Sequence, residues 1–350
     1  MKTNPLAADL DHILAHTAGL WEELRGRRIF ITGGTGFFGC WLLESFAWAN
    51  DRLGLKASAT VLTRNPKSFA AKMPRLAKRS DLSFLEGDVR DFSFPAGTFD
   101  FVIHAGTTSG APVAPQEMFG TIVDGTRRVL EFAAKHETRK LLFISSGAVY
   151  GRQPPEMTHV PENFTGAPNP FDPPSAYGEG KRAAELLCAM AASRQSLEIK
   201  VARCFAFVGP HLPLDAHFAI GNFIRDGMRG GPIQVRGDGT PLRSYLYMAD
   251  LTVWLWTILF RGRSSHPYNV GSEAAVSIAQ VADIVAKAFE PRPVVRISDP
   301  IVSGTTLNRY VPKTTRAFEE LGLRPRIDLP TAVAKTIFWL QPKTQHKSSC

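Results

Sequence analysis

Apolar residues along this chain fall into short runs that alternate with longer amphipathic stretches. The short runs are bounded by turn residues, as expected for buried strands, and they cover residues 27–34, 57–64, 83–88, 100–106, 140–146 and 198–209. The longer stretches have the spacing of helices, and they cover residues 38–54, 114–136 and 175–194. This alternation predicts an α/β fold in which helices cover both faces of a parallel sheet.

Four regions depart from the alternation. Residues 8–24 carry apolar side chains at helical spacing and predict an amphipathic N-terminal helix. Proline and glycine crowd residues 151–175, which predicts a long irregular loop of the kind that often carries function. Beyond Pro210 the segments become shorter, which predicts a smaller and less regular second domain. The polar tail, residues 341–350, is expected to be disordered.

Composition is that of a soluble globular protein, with 44% hydrophobic and 21% charged residues. The most apolar run, LTVWLWTILF at 251–260, is too short to cross a bilayer, which takes about 20 residues. Charged residues interrupt the first 26 positions, where a signal peptide would be apolar. We therefore expect a cytoplasmic protein that makes no membrane contact.

The net charge of +9 is spread along the chain without a dense basic block. Such a field suits a small polyanionic ligand better than nucleic acid, so we expect no nucleic-acid partner. The four cysteines lack the spacing of a metal site, which predicts reduced thiols and no bound metal. They are Cys40, Cys188, Cys204 and Cys350.

The segment TGGTGFFG joins the first predicted strand to the next helix and places Gly33, Gly36 and Gly39 three residues apart. The first glycine permits a tight turn, the second lets the backbone approach a pyrophosphate, and the third lets helix and strand pack closely. Amide groups at the helix N-terminus then hold the diphosphate. The pattern predicts a dinucleotide site. Other residues of this turn assigned to the site are Thr35, Phe37 and Phe38.

The end of the second predicted strand discriminates between NAD and NADP. An acidic residue there binds the ribose 2′-hydroxyl of NAD, whereas an arginine accommodates the 2′-phosphate of NADP. Here Thr63 and Arg64 end the strand, Lys67 follows, and the segment contains no acid. This favours NADP; NAD is the alternative if Arg64 is solvated or stacks on the adenine. Asp88 and Val89 follow the third strand, where an acid that contacts the adenine is expected.

Tyr177 and Lys181 stand four residues apart at the start of a predicted helix and therefore share one face. A tyrosine with a pKa of about 10 is a poor base at neutral pH. A neighbouring ammonium favours the phenolate and lowers that pKa. Ser146, at the end of the strand KLLFISS, supplies the third group. The three residues predict a catalytic site for proton transfer.

In this order, the glycine turn, the SSGAVYG strand end and the YGEGK helix start resemble the extended short-chain dehydrogenase/reductase family, in its NAD-dependent epimerase/dehydratase branch. The resemblance covers about residues 27–330. It implies a tightly bound nicotinamide cofactor and a nucleoside-diphosphate-sugar substrate. By the same resemblance, His104 and Ala105 line the cofactor site, as do Tyr177 and Lys181.

The resemblance also implies the substrate contacts. Arg243 and Arg309 would face the substrate diphosphate, with Asn222 near it, and a guanidinium fork suits that chemistry. Thr108 and Ser146 would contact the substrate as well. Asn222 has a second interpretation as a helix cap, and the two arginines as surface charges.

The predicted fold is therefore a Rossmann-type doubly wound parallel sheet with a smaller, discontinuous C-terminal substrate-binding domain. Residues 1–26 form an N-terminal helical extension. The dinucleotide-binding domain covers 27–205, and residues 240–272 return to it. The substrate-binding domain covers 206–239 and 273–340.

Two positions narrow the reaction. Sugar 4,6-dehydratases of this family carry an Asp-Glu pair where this chain has Gly147 and Ala148, and the related decarboxylases carry a glutamate at 148. Glycine and alanine cannot exchange protons with the sugar. Asparagine is usual in the family where this chain has Ile122 and Ala206. The remaining groups fit a 4-epimerase or a 4-keto-sugar reductase or dehydrogenase. A dehydratase or decarboxylase is disfavoured, and a non-catalytic NADP-binding regulator remains an alternative.

The family also implies a homodimer built from two helices of each subunit, here 114–136 and 175–194. We expect their apolar faces to form the interface, unless those faces cover the sheet. The faces consist of Met118, Ile122, Val129 and Phe132 on the first helix, and Ala183, Leu186, Leu187 and Met190 on the second.

Overall fold

The computed structural model describes residues 4–107, 113–194, 196–216, 218–300 and 307–341. Thr108 and the tail beyond residue 341 lie outside these ranges.

The strands are β1 (Arg28–Thr32), β2 (Ser58–Thr63), β3 (Leu82–Glu86), β4 (Phe101–His104), β5 (Lys140–Ser146), β6 (Glu198–Cys204), β7 (Phe207–Val208), β8 (Ile233–Val235), β9 (Leu242–Arg243), β10 (Leu246–Tyr247), β11 (Pro267–Val270), β12 (Val276–Ser277), β13 (Val295–Ile297) and β14 (Arg309–Tyr310). The helices are α1 (Ala7–His16), α2 (Phe37–Leu53), α3 (Pro66–Lys72), α4 (Pro74–Ala77), α5 (Pro115–Lys135), α6 (Ala176–Ala192), α7 (Ala219–Met228), α8 (Met248–Arg261), α9 (Ile278–Lys287), α10 (Thr315–Leu321) and α11 (Leu329–Leu340).

Within the described residues, seven parallel strands form the central sheet in the order β11-β6-β5-β4-β1-β2-β3. The chain builds outward from β1 on one side and then crosses to β4 on the other. The strand order therefore reverses between β1 and β4, where a crevice opens at the carboxyl ends of a doubly wound sheet. This confirms the predicted Rossmann-type fold.

Alternate residues of the strands pack on opposite faces of the sheet. Ile29 and Ile31 join the larger core with α2 and α8, whereas Phe30 joins a second core with α5 and α6. Because both faces are covered, the central strands β1, β4 and β5 are buried along nearly their whole length instead of alternating with exposed residues. The apolar runs that predicted strands have this origin.

The predicted helix over 8–24 is wrong in its second half. α1 ends at His16, Gly19 takes a positive φ of 78°, and a short 3₁₀ helix follows at Trp21–Leu24. Glycine adopts this left-handed conformation without strain, and a helix cannot continue through it. α1 is held against the core, because the Tyr247 hydroxyl donates to Asp9 at 2.8 Å.

Smaller sheets stand beyond the central one. β10 pairs with β7, β9 lies between β12 and β14, and β13 pairs with β8. The predicted strand over 198–209 divides here: β6 ends at Cys204, opposite the last residue of β5, and β7 belongs to another sheet. The strands of segment 240–272 belong to different sheets: β9 and β10 lie outside the central sheet, whereas β11 belongs to it.

None of the helices described has the length and apolarity that crossing a membrane requires. Cys40, Cys188 and Cys204 are buried free thiols, and Cys350 lies beyond the described residues.

Candidate active site

The glycines of the turn between β1 and α2 differ in what their surroundings require. Gly33 has a positive φ of 70°, and a Cβ there would lie 2.4 Å from the carbonyl oxygen of Ala105. A Cβ at Gly39 would lie 2.2 Å from the carbonyl carbon of Gly34. At Gly36 the backbone is extended, and an added Cβ would meet only the Gly33 oxygen, at 3.4 Å. Packing therefore explains the first and third glycines but not the second.

Gly36 is also the N-cap of α2, and no side chain among the described residues caps this helix. Amide groups of the first turn of a helix need partners from outside it. A residue without a side chain at this point lets an anion approach them closely. The turn thus fits the pyrophosphate of a dinucleotide.

Other residues of the turn connect it to its surroundings. The Thr35 and Thr63 hydroxyls lie 3.4 Å apart and link the turn to the end of β2. Phe38 packs edge-on against Phe207, with 5.0 Å between ring centroids, and Phe37 packs on the same core. The side chains of Phe37 and Phe38 thus anchor α2.

Arg64 and Asp88 come together where β2 and β3 end. Arg64 is exposed, whereas Asp88 is engaged by Arg90 through bonds of 2.8 and 3.0 Å. The hydrogen bond from Arg90 is the main cause that lowers the pKa of Asp88, and the Arg64 charge contributes. Val89 packs against Gly125, and a Cβ added at Gly125 would lie 2.7 Å from the Val89 side chain. Any contact of Asp88 with an adenine would therefore compete with Arg90.

His104 is turned into the protein. Its Nδ1 lies 2.7 Å from the Thr32 hydroxyl and its Nε2 lies 3.1 Å from the Thr126 hydroxyl. Burial, reinforced by the Lys181 charge, lowers the pKa of His104 to about 3 and keeps the ring neutral. Since both ring nitrogens are engaged within the protein, the ring has no unpaired polar atom for a cofactor, and the assignment of His104 to the cofactor site stays a prediction. Ala105, which follows, borders the glycine turn.

Ser146, Tyr177 and Lys181 come together where β5 ends beside α6. The Lys181 ammonium donates to the Ile144 oxygen at 2.8 Å and lies 5.9 Å from the Tyr177 ring centroid. Burial lowers the pKa of Lys181 to about 8. Burial raises the pKa of Tyr177, whereas hydrogen bonding with the Ser146 side chain acts in the opposite direction. Burial thus outweighs the lowering of the Tyr177 pKa that the sequence predicts from Lys181, and the catalytic role of the three residues stays a prediction.

A fourth polar group, the Tyr310 hydroxyl, was not among the predicted site residues. It lies 3.4 Å from the Ser146 hydroxyl oxygen, and the Tyr310 ring packs on Phe205 at 4.6 Å between centroids. A Cβ at Gly147 would lie 2.7 Å from the Tyr310 hydroxyl and from the Phe205 ring. The tyrosine and phenylalanine thus occupy the space that a side chain at 147 would need. The one feature of the sequence that could have pointed to Tyr310 is its position next to Arg309, a predicted substrate-binding residue.

Arg243 and Arg309 lie on the neighbouring strands β9 and β14. Arg243 donates to the Leu242 carbonyl and to Asn308, and burial lowers its pKa. The Nε of Arg309 is buried and has no hydrogen-bond partner among the described residues. No ion pair with a carboxylate is found for either arginine in the part of the chain described. Two uncompensated guanidinium groups fit a diphosphate ligand.

Asn222 is engaged elsewhere, because its side-chain oxygen accepts a hydrogen bond from Arg225 at 2.9 Å on α7. Thr108 lies outside the described residues.

A buried polar network fixes the long loop over the sheet. Arg203 donates to Glu185 at 2.6 Å and to the Tyr150 hydroxyl at 2.8 Å. The Tyr150 hydroxyl donates to Asn269, whose amide binds the carbonyl oxygens of Val160 and Lys313. The network therefore holds the loop and the segment after β14 in place.

The sheet, the glycine turn and the Ser146–Tyr177–Lys181 cluster are typical of a nicotinamide-dependent enzyme. A family model described as the NAD dependent epimerase/dehydratase family matches residues 29–271. The chain therefore belongs to this family of enzymes, which use NAD(P) and act on nucleotide sugars.

Three similar proteins illustrate the range of the family. UDP-glucuronic acid decarboxylase 1 of Xenopus tropicalis is 26% identical over 331 residues, which make up 94% of this chain and 75% of that protein. The structure of a UDP-galactose 4-epimerase has a TM-score of 0.69 and 26% identity, over 89% of this chain and 98% of that one. MoeE5 in complex with UDP-glucose and NAD has a TM-score of 0.71 and 25% identity over the same shares.

Proposed function

We propose that this protein is a nucleotide-sugar 4-epimerase or a 4-keto-sugar reductase or dehydrogenase. The observation that carries the proposal is the combination of a complete Ser146–Tyr177–Lys181 cluster with a filled space at Gly147. A carboxyl side chain at 147 would collide with Tyr310 and Phe205. Elimination needs an acid and a base at the sugar, whereas oxidation and reduction at one carbinol need only the cluster.

In the proposed mechanism, the Tyr177 phenolate removes the proton of the sugar hydroxyl, and the Ser146 hydroxyl donates a hydrogen bond to the Tyr177 oxygen. The Lys181 ammonium stabilises the phenolate and holds the cofactor ribose. A bound nicotinamide supplies the hydride chemistry. Arg243 and Arg309 hold the substrate diphosphate, which leaves the sugar as the mobile part. An epimerase must let the keto-sugar turn over before it is reduced again.

Similarity to the UDP-glucuronic acid decarboxylases supports a second candidate function. A decarboxylase also begins by oxidation at one carbinol and would use the same cluster. The residue that disfavours it is Ala148, because the related decarboxylases carry a glutamate there. This alternative is decided by the product of the reaction.

The test is incubation of the protein with UDP-glucose, UDP-galactose and UDP-glucuronic acid, each with NAD⁺ or NADP⁺, and with a 4-keto-sugar nucleotide and NADPH. NMR and mass spectrometry identify the products, and Tyr177→Phe is the inactive control. A 4-epimer of unchanged mass, or a reduced or oxidised 4-position, supports the proposal. Loss of water overturns it, and release of CO₂ selects the decarboxylase.

We further infer that the cofactor is NADP and that the protein is a cytoplasmic homodimer. Exposed Arg64, with Lys67 nearby and no acid at the end of β2, supports NADP. Arg309 belongs to the proposed substrate-binding domain, 206–239 and 273–340. Arg243 belongs to the segment 240–272, and its strand β9 pairs with β14, which carries Arg309. The scattered positive charge supports a nucleotide sugar as the partner and not nucleic acid.

A further inference from the structure

We infer that Tyr310 is a positioning residue that directs the Ser146 hydroxyl proton toward Tyr177. The inference rests on the proposed function, because it concerns the same proton-transfer cluster. It assigns a task to a residue outside the Ser146–Tyr177–Lys181 motif.

The hydrogen bonds around Ser146 carry the argument. A serine hydroxyl has two acceptor lone pairs and one proton. The Ala148 amide donates to Ser146 Oγ at 3.1 Å, and an amide N–H cannot accept. The Tyr310 hydroxyl lies 3.4 Å from the same oxygen. If both groups donate, the lone pairs are filled and the serine proton is left for the hydrogen bond between the Ser146 side chain and Tyr177.

Tyr310 is suited to donate. Burial raises the pKa of its hydroxyl, so the group stays protonated. Ser146 is the only hydrogen-bond partner of that hydroxyl found in the described part of the chain. The distance of 3.4 Å is long for such a bond, so we expect a weak hydrogen bond whose removal has a modest effect.

The backbone around Tyr310 is held on both sides. On one side, β14 pairs with β9, and Tyr310 lies opposite Arg243. On the other, the Val160 amide donates to the Val311 oxygen at 2.9 Å, and the Lys313 amide donates to the Val160 oxygen at 2.8 Å. The absence of a side chain at Gly147 leaves room for the phenol. The hydroxyl is therefore placed by a rigid framework, as a positioning group must be.

The charged and titratable groups that face this cluster come from three further elements. Lys181 on α6 and Arg243 on β9 carry positive charge; the Lys181 ammonium lies 5.9 Å from the Tyr177 ring centroid, and the Arg243 charge acts on Tyr310. Cys204 on β6 stays a neutral thiol, because burial raises its pKa. Lys181 donates to Ile144 and Arg243 to Leu242 and Asn308, so removing the Tyr310 hydroxyl takes no hydrogen bond from either cation and leaves both charges in place.

Tyr310→Phe keeps the ring on Phe205 and removes the hydroxyl alone. The Ser146 proton is then free to turn away from Tyr177. We expect the apparent pKa of Tyr177 to rise and kcat to fall roughly three- to tenfold, the effect of one hydrogen bond. Cofactor affinity and thermal stability should stay close to wild type.

The measurement is a tyrosinate absorbance titration of the NADP⁺- or NAD⁺-loaded protein. Tyr177→Phe identifies which transition belongs to Tyr177. The matched control is Tyr268→Phe, which removes another buried phenol that lies on the edge strand β11 and donates to Glu320 instead of Ser146. Ser146→Ala, alone and combined with Tyr310→Phe, tests whether the effect passes through the serine.

A higher Tyr177 pKa in Tyr310→Phe, unchanged in Tyr268→Phe and absent in the Ser146→Ala background, supports the inference. An unchanged Tyr177 pKa, or an equal shift without Ser146, overturns it. Should Tyr310→Phe not fold, Gly147→Ala displaces the hydroxyl without removing it and must raise the same pKa. Because the titration needs no substrate, it decides the inference even where no sugar nucleotide is turned over and the proposed function fails.

Discussion

The Lys181 ammonium is buried, with 2% of its surface exposed, and no ion pair with a carboxylate is found for it among the described residues. Its contacts are the Ile144 carbonyl and the face of Phe143. A buried charge without a counterion destabilises the folded chain, and the same burial lowers the pKa of Lys181 to about 8. Active sites commonly hold such groups because the ligand supplies the missing partner.

Lys181→Met should therefore abolish turnover and weaken cofactor binding, yet raise the free energy of unfolding of the cofactor-free protein. The pKa lies about 2.5 units below its ordinary value, equivalent to about 3 kcal/mol, from which the lost bond to Ile144 subtracts. Below about pH 8, Lys181 is charged in both the folded and the unfolded protein, so the free-energy cost of burying its ammonium is present in full. From there to about pH 10 the native lysine is neutral while the unfolded one still binds a proton, so the wild type gains stability with pH. The advantage of the variant should shrink over that range.

Chemical denaturation of both proteins at neutral pH and at about pH 10 checks this. A Lys181→Met variant that is less stable than wild type at neutral pH would show that the buried ammonium does not destabilise the folded protein.

Cofactor choice should depend on Arg64. A charge-assisted contact with the 2′-phosphate is worth about 1.5–3 kcal/mol, so Arg64→Ala should weaken NADP binding about ten- to a hundredfold. NAD lacks this phosphate and should bind almost equally well. Thr63→Asp should repel NADP and offer the ribose of NAD an acceptor. Fluorescence titration gives the dissociation constants. Equal weakening of both cofactors by Arg64→Ala would place the arginine at the adenine or the shared diphosphate, and the NADP preference would be withdrawn.

The turn between β1 and α2 offers a matched pair of substitutions. Gly39→Ala forces a methyl group into the Gly34 backbone and should destabilise the protein by about 3 kcal/mol or more. Gly36→Ala meets no such obstacle and should change stability by about 1 kcal/mol or less. The same methyl at Gly36 would face a bound diphosphate and should weaken cofactor binding about tenfold or more.

Thermal melts and cofactor titrations of the two variants separate packing from binding. Normal cofactor affinity in Gly36→Ala would show that the diphosphate does not rest on this turn.

The pair of helices α5 and α6 shows which apolar residues are available to a partner. On α5, Ile122, Val129 and Phe132 are buried in the second core, so the predicted face covers the sheet. On α6, Leu186 is 62% exposed and Met190 is 44% exposed. The apolar surface left for a second copy of the chain is therefore mainly on α6.

For the whole molecule, we predict a homodimer whose interface contains this face of α6. Leu186→Glu combined with Met190→Glu places two carboxylates in the interface and should give a monomer, because unpaired charges are costly to bury. Val294→Glu is the control, since Val294 is 67% exposed on another part of the surface. Light scattering at micromolar concentration checks both. A wild-type protein that is already monomeric would refute the dimer.

Much of the fold follows from features that lie close together in the chain. The strands β1 to β5 were predicted nearly to their ends, because each is a short apolar run bounded by turn residues. α1 was predicted too long, since apolar spacing continued through Gly19 while the backbone turned there. The sequence did not predict β7 to β10 as separate strands, because a strand of two or three residues is too short to show a hydrophobic period.

The sequence by itself determined six of the seven strands of the central sheet, the glycine turn and the residues of the Ser146–Tyr177–Lys181 cluster. Each is encoded by residue types at a fixed spacing, so the signal survives without knowledge of the fold. Only the tertiary structure decided that Tyr310 meets Ser146, and that Gly147 makes room for it. These residues come from distant parts of the chain, and no local pattern records which side chains the packing of strands and loops brings into contact.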